Sequence, residues 1–183
     1  YMLQIYLDFS AYSDMAIGMG KMIGLHYEEN FDYPYMAVSV KNFWRKWHMT
    51  LSRFFRDYVY IPLGGSLCSM PRQIRNLFIV WGLTGLWHGA DWNYVLWGLY
   101  YFVFLLLERL FLGNILEKIP TFFGHVYTLT VVYFGWLLFR TERLSDIGVI
   151  IKGMFGKNEN EFFSISTEII LRNHLFFLIF AIF

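Results

Sequence analysis

The stretch "IPTFFGHVYTLTVVYFGWLLF", residues 119–139, carries no charged side chain apart from whatever proton His125 holds. Its 21 residues, at about 1.5 Å of rise each, reach roughly 30 Å as a helix, the thickness of a bilayer's hydrocarbon core. Other uncharged runs flank it. Residues 92–107 form one of 16, which the sequence reading ends at Glu108 and Arg109, and residues 77–90 form one of 14 that holds only His88. Another begins at Leu175. The two shorter runs suit helices buried or broken inside a larger bundle.

Composition agrees. The chain of 183 residues is 57% hydrophobic, 22% aromatic and only 16% charged, with a mean hydropathy of +0.42. Soluble domains average about 25% charged residues, so lipid is expected to be part of this protein's solvent. The expected fold class is all-α: a multi-pass transmembrane helical bundle. The chain opens at Tyr1 in apolar sequence and stops at Phe183 within "LFFLIFAIF". The reading is one partial membrane domain over residues 1–183, a fragment of a longer protein.

The first segment, residues 1–25, is apolar yet holds Asp8, Asp14 and Lys21. Charges in a membrane helix usually face protein or a water-filled cavity, so this helix is expected to line a bundle interior. Residues 27–35, "YEENFDYPY", read as a loop from their acids, Asn30 and Pro34. Ser39 is the expected N-cap of a helix running to about Asp57. Along it Phe43, Trp47, Leu51 and Phe55 recur every four residues, beside a second line of Trp44, His48 and Ser52. Lys41, Arg45, Lys46, Arg53 and Arg56 cover the rest, the pattern of an amphipathic helix at a membrane interface. Pro62, Gly64, Gly65 and Pro71 forbid a continuous helix across residues 60–76. Between Lys41 and Arg75 stand seven Lys or Arg and one acid, Asp57, which places this stretch on the cytoplasmic side. Residues 140–161 are polar, with mixed charge and no orientation signal.

Several chemistries fall away. One cysteine, Cys68, permits neither an intrachain disulfide nor a thiolate zinc site. No metal site is expected. Gly64-Gly65 lacks the spacing and lysine of a phosphate loop. The aromatic residues are not interleaved with bases on a polar face, which argues against nucleic-acid binding. What remains is a pair of histidines 40 residues apart, His48 in "FWRKWH" and His88 in "LTGLWHGADW". Imidazole takes a proton near neutral pH, and in a dry pocket it stays neutral and acts as a base. Either ring also serves as a quiet structural hydrogen-bonder. His125, alone in a spanning run, fits both roles, while His26 and His174 read as loop or helix-end residues. A non-enzymatic alternative makes Asp8, Asp14, His88 and His125 a proton or solute relay.

Four stretches then carry a resemblance: "IYLDFSAYSDMAIGMGKMIGLHYEENFDYPY" (5–35), "FWRKWHMTLSRFFRDYVYIPLGG" (43–65), "NLFIVWGLTGLWHGADWNYVLWGLYY" (76–101) and "GWLLFRTERLSDIGVIIKGMFG" (135–156). Together they resemble the membrane-bound O-acyltransferase family, in its alginate O-acetylation branch. The resemblance implies helices around a tunnel and transfer of an acyl group from a thioester donor, acetyl-CoA, to a hydroxyl. No bound cofactor is implied. Its two signature histidines correspond to His88 and His48, expected to be catalytic. The final acceptor is an exported polysaccharide, reached with partner proteins outside the membrane, and the site is the cytoplasmic (inner) membrane. Arg45 and Lys46, with Arg53 and Arg56, are expected to steer the phosphorylated donor. Trp44, Trp47 and Trp87, with Trp92, are expected to wall the path and keep water from the thioester. The teichoic acid D-alanyl transfer proteins share the "FWRKWH"-like and "WHG" elements but are less alike at "YIPLGG", which makes D-alanyl transfer the alternative.

Overall fold

The computed structural model describes residues 1–156 and 165–182, and among them every regular element is helical. They divide into a larger unit, Tyr1–Glu142, and a second from Arg143 on. In the larger unit α1 spans Met2–Met22, α2 Val40–Trp44, α3 Met49–Phe55, α4 Met70–His88, α5 Trp92–Leu107, α6 Gly113–Leu116 and α7 Thr121–Arg140. Two π-helical turns, Arg56–Tyr60 and Glu108–Leu112, continue α3 and α5. The second unit holds α8, Leu144–Met154, and α9, Ile165–Ile182.

Among the described residues two stretches are long and apolar enough to cross a membrane, Trp92–Leu116 and Thr121–Arg140. The second matches the opening run within two residues. The first overruns its expected end, because Glu108 does not stop the helix. Its side chain is buried, and its carboxylate accepts hydrogen bonds from the backbone N–H groups of Val40 (2.6 Å) and Lys41 (2.9 Å). Ser39 Oγ accepts from Asn42 N at 3.0 Å, as its capping role requires. The first turn of α2 is thus satisfied by one local and one distant side chain.

α4 and α5 form an antiparallel hairpin joined by Gly89, Ala90 and Asp91. They touch backbone to backbone: a Cβ on Gly98 would collide with the Trp81 carbonyl and lie 3.2 Å from Gly85. Small residues at such a crossing are how helices pack where lipid removes the hydrophobic drive. Residues 61–69 are not helical, so no continuous helix crosses residues 60–76, as expected; Pro71 itself sits in the first turn of α4, where its missing N–H costs nothing. Inside these apolar helices Thr84 and Thr128 return their hydroxyls to the carbonyls of Val80 and Gly124, and Thr141, just past the end of α7, does the same to Leu137.

The core lies between α2, α4, α5 and α7 and is mostly aromatic: Phe43, Trp47, Trp81, Trp97, Tyr101 and Trp136, with Val40, Val131 and Val132. Trp44 meets Trp81, Trp97 and Tyr101 edge to face at 4.8, 5.5 and 4.8 Å. Each such pair adds about 0.5–1.5 kcal/mol beyond burial.

Three expectations change. The single helix from Ser39 to Asp57 is broken: α2 ends at Trp44, and α3 starts only after His48, whose backbone is left-handed (φ 46°, ψ 53°). The charges of α1 face away from the rest of the unit. Asp8, Asp14 and Lys21 are exposed, while Ser13, Ile17 and Gly20 form the buried face. His174 stands in the middle of α9, not at a helix end. Part of the polar stretch 140–161 lies outside the described residues; its beginning includes α8.

Candidate active site

A cavity of about 550 Å³ opens inside the larger unit. Lining residues of α4 run from Leu77 through Val80, Trp81 and Thr84 to His88, eleven positions or about 16 Å of helix. α1 contributes Ile5 and Phe9, α5 Trp97 and Leu105, and α7 Trp136 and Phe139. The broken segment supplies the rest, including Trp44, Trp47, His48, Ser52 and the bases Lys41, Arg45, Arg53 and Arg56.

The cavity wall carries two kinds of polar side chain, bases and imidazoles. The backbone N–H of Lys41 donates to Glu108, and Lys41 and Leu105 both line the cavity. Arg53 pairs with Glu28, and Arg56 with Asp57. Among the described residues Lys41 and Arg45 have no ion-pair partner. The imidazoles of His48 and His88 belong to the same lining. His88 terminates α4, with ring contacts to Trp87 (4.9 Å), Trp97 (4.9 Å), Phe139 (5.1 Å) and Tyr94 (6.3 Å). Gly89 makes this corner possible, since a Cβ there would meet the Tyr94 ring at 2.7 Å.

His48 sits between Phe9 (4.8 Å) and Trp87 (6.0 Å). Its Nδ1 donates to Asn30 Oδ1 at 3.1 Å. The same oxygen accepts from Thr50 N (3.3 Å) and Thr50 Oγ1 (2.9 Å), and Asn30 Nδ2 donates to Ser13 Oγ (3.0 Å). Asn30 therefore caps α3 from the preceding loop, a role His48 does not fill with its own side chain. Burial first, and the neighbouring His88 imidazole second, lower the His48 pKa to about 4. It is a neutral base at physiological pH.

The structure thus brings His48, His88, Trp44, Trp47 and Arg45 to one cavity and leaves three expected residues outside its wall. Lys46 turns away to pair with Asp32 at 3.0 Å, because the helix breaks after Trp44 and residues 46–48 run beside the loop. Trp87 is 58% exposed and reaches the site only through the edges of the two imidazoles. Trp92 is 72% exposed. The residues of the supposed relay do not assemble: His125 Nδ1 donates to Ala37 O at 3.1 Å, and both aspartates are exposed. Sequence reasoning missed Lys41, which it left among surface bases, and Asn30, whose only signal was an amide among loop acids. It also missed Gln73 and Asn76, whose amides hold the loop before α4 through Ser66 O, Cys68 O and Leu63 O.

Comparison with known proteins adds a family to this geometry. The sequence model of the membrane-bound O-acyltransferase family matches residues 1–152. The chain is 43% identical over 155 residues to the "Probable alginate O-acetylase AlgI" of Pseudomonas aeruginosa, covering 85% of this chain and 30% of that protein. It is 38% identical over 162 residues to the "Peptidoglycan O-acetyltransferase" of Helicobacter pylori, 86% of this chain and 31% of that one. A "Teichoic acid D-alanyltransferase" of Bacillus subtilis matches at 32% over 119 residues, 61% of this chain and 30% of that protein. The chain spans about a third of the length of these relatives.

Proposed function

The chain belongs to the membrane-bound O-acyltransferase family, and from that premise we propose that the protein is a multi-pass enzyme of the cytoplasmic membrane that O-acetylates an exported polysaccharide. The donor is acetyl-CoA or a similar phosphorylated thioester, and the cavity is part of a tunnel completed by further helices. The observation that carries this reading is that His48 and His88 open on one cavity whose wall also carries aromatic rings and the bases Lys41 and Arg45.

Each part of the wall then has a task. Lys41 and Arg45, free of ion pairs among the described residues, attract the phosphates of the donor from the cytoplasmic side. The thioester, at the end of the donor's flexible arm, reaches up the cavity toward His88. The acceptor hydroxyl gives its proton to neutral His88 as its oxygen attacks the thioester carbonyl carbon. The carbon–sulfur bond breaks, and the leaving thiolate takes that proton back from the imidazolium. The products are an ester and a free thiol, and His88 is neutral again. His48, the second neutral base, serves the thioester end. Trp44, Trp47, Trp97, Trp136 and Phe139 exclude the water that would hydrolyse the donor.

The names of the relatives support acetyl as the acyl group and a cell-surface glycan as the acceptor. The D-alanyl reading rests on a match of lower identity over less of the chain. The relay reading has no geometry behind it. The test is the acetyl-ester content of exported polysaccharide in cells carrying the full-length protein or its His88→Ala variant at equal membrane abundance. Loss of roughly 10²–10⁴ in transfer rate is expected for a missing base. Unchanged acetylation sinks the assignment, and loss of D-alanyl esters instead moves it to the alternative acyl group.

A further inference from the structure

We propose that Asn30 is a positioning residue for the transfer: its carboxamide oxygen holds His48 in the tautomer that leaves the Nε2 lone pair as the hydrogen-bond acceptor serving the thioester end of the cavity. The inference rests on reading the cavity as the transfer site.

The orientation of the amide follows from its other partners. The backbone N–H of Thr50 only donates, so the atom it faces at 3.3 Å is the oxygen. Nδ2 on the other side donates to Ser13 Oγ at 3.0 Å. An oxygen that only accepts, 3.1 Å from His48 Nδ1, requires the ring proton on Nδ1. Nε2 then carries the lone pair. The backbone reinforces this arrangement: Met49 N donates to Asn30 O and Asp32 N to Lys46 O, both at 3.0 Å. Loop residues 30–32 are thereby laced to residues 46–50. The left-handed conformation of His48 turns its ring back toward that loop, a conformation histidine tolerates better than branched or bulky residues. Capping of α3 needs only the Thr50 bonds, so the bond to His48 is additional to it.

Charged and titratable neighbours come from three places. His88 lies across the cavity on α4, Arg45 and Arg53 line the same wall, and the loop carries Glu28 paired with Arg53 and Asp32 paired with Lys46. α1 brings only Phe9 and Ser13 to the cluster.

The experiment compares Asn30→Leu, Asn30→Asp and His48→Ala with the unmodified full-length protein, per unit of folded enzyme, with ¹⁵N-histidine spectra of the unmodified protein and the two Asn30 variants. In the unmodified protein the His48 signal should report a protonated Nδ1. Asn30→Leu should move the proton to Nε2 and lower kcat about 100-fold, the low end of a lost acid–base group, with donor KM within about twofold. Asn30→Asp keeps an acceptor oxygen, so it should retain kcat within about tenfold, and its negative charge should displace the acid limb of the rate–pH profile upward. A merely structural Asn30 predicts different results: a wild-type kcat for folded Asn30→Leu and an unmoved profile for Asn30→Asp. Either result overturns the proposal. If His48→Ala fails while folded Asn30→Leu works, the positioning role falls and the site reading stands. If His48→Ala is fully active, His48 has no catalytic role and both assignments fall.

Discussion

Removing the Glu108 carboxylate should cost more than an ordinary helix cap. The side chain lies in the 25-residue apolar stretch Trp92–Leu116 and is 7% exposed. Its two oxygens take the N–H groups of Val40 and Lys41 at 2.6 and 2.9 Å. Hydrogen bonds to a charged partner are worth about 1.5–3 kcal/mol each. In Glu108→Ala the two losses are unequal. Val40 is fully buried, so its N–H finds no water and the full penalty applies. Lys41 is exposed, so water replaces most of its bond. The sum is about 2–4 kcal/mol, above the ~0.5–2 kcal/mol of a typical cap. Glu108→Gln keeps one acceptor oxygen for Val40 and turns its NH₂ toward Lys41, so it should cost about half as much. The assay is denaturant or thermal unfolding of the full-length protein in detergent, read beside transfer activity. α2 carries Trp44 and precedes Arg45, so activity should fall in the same order. An alanine variant within about 0.5 kcal/mol of the parent, the range of indifferent surface changes, would refute the argument. So would a glutamine variant as damaged as alanine.

Two further outcomes concern the cavity. Lys41→Gln with Arg45→Gln should raise donor KM several-fold, leave kcat unchanged and weaken the salt dependence of kcat/KM, because these bases act by attraction from a distance; steady-state kinetics at two ionic strengths checks this. The pH dependence follows from His48, whose pKa burial and the neighbouring His88 imidazole lower to about 4. Above pH 6.5 the imidazole is neutral in both native and unfolded chains. Between about 6.5 and 4 only the unfolded chain takes up the proton, so stability is lost across that window. Midpoints of unfolding recorded from pH 8 to 4.5 should be flat at first and then fall, and transfer should show no inflection of His48 near 6.5.

Apolar run length was enough to find α5 and α7, and glycine and proline punctuation to find the connections. Both signals are local and one-dimensional. The motifs around His48 and His88 were legible as a pair because each sits in a long aromatic pattern. Legibility failed wherever one element completes another. Nothing near Glu108 announces that its partner is the start of α2, 68 residues earlier. The charge was read as the end of a span, which is what an unpaired carboxylate would have been. Asn30 and His48 meet across 18 residues, and the four-residue repeat through residues 43–55 concealed the break that makes them meet. Lys41 and Lys46 looked alike in sequence. Asp32 separates them in space by taking Lys46.

That break is what turns a stripe of side chains into a cavity wall. On a straight helix Trp44 and Ser52 are eight residues, or about 12 Å, apart along the axis. Here Ser52 Oγ donates to Trp44 O at 3.3 Å, so the chain bends sharply between α2 and α3. Such a bend needs a residue in an uncommon backbone region, and His48 supplies it. Trp44 then reaches Trp81 and Trp97, Trp47 stacks on Phe43 at 5.6 Å, and both indoles line the same space. A continuous amphipathic helix would have laid its apolar stripe on one flat surface, with the imidazole projecting from the row beside it. The bend instead places the ring between Phe9 and Trp87 and its Nδ1 against the loop. The histidine is both the hinge of the wall and part of its lining. Replacing it therefore perturbs shape and chemistry together, and the cleaner way to separate the two is through Asn30.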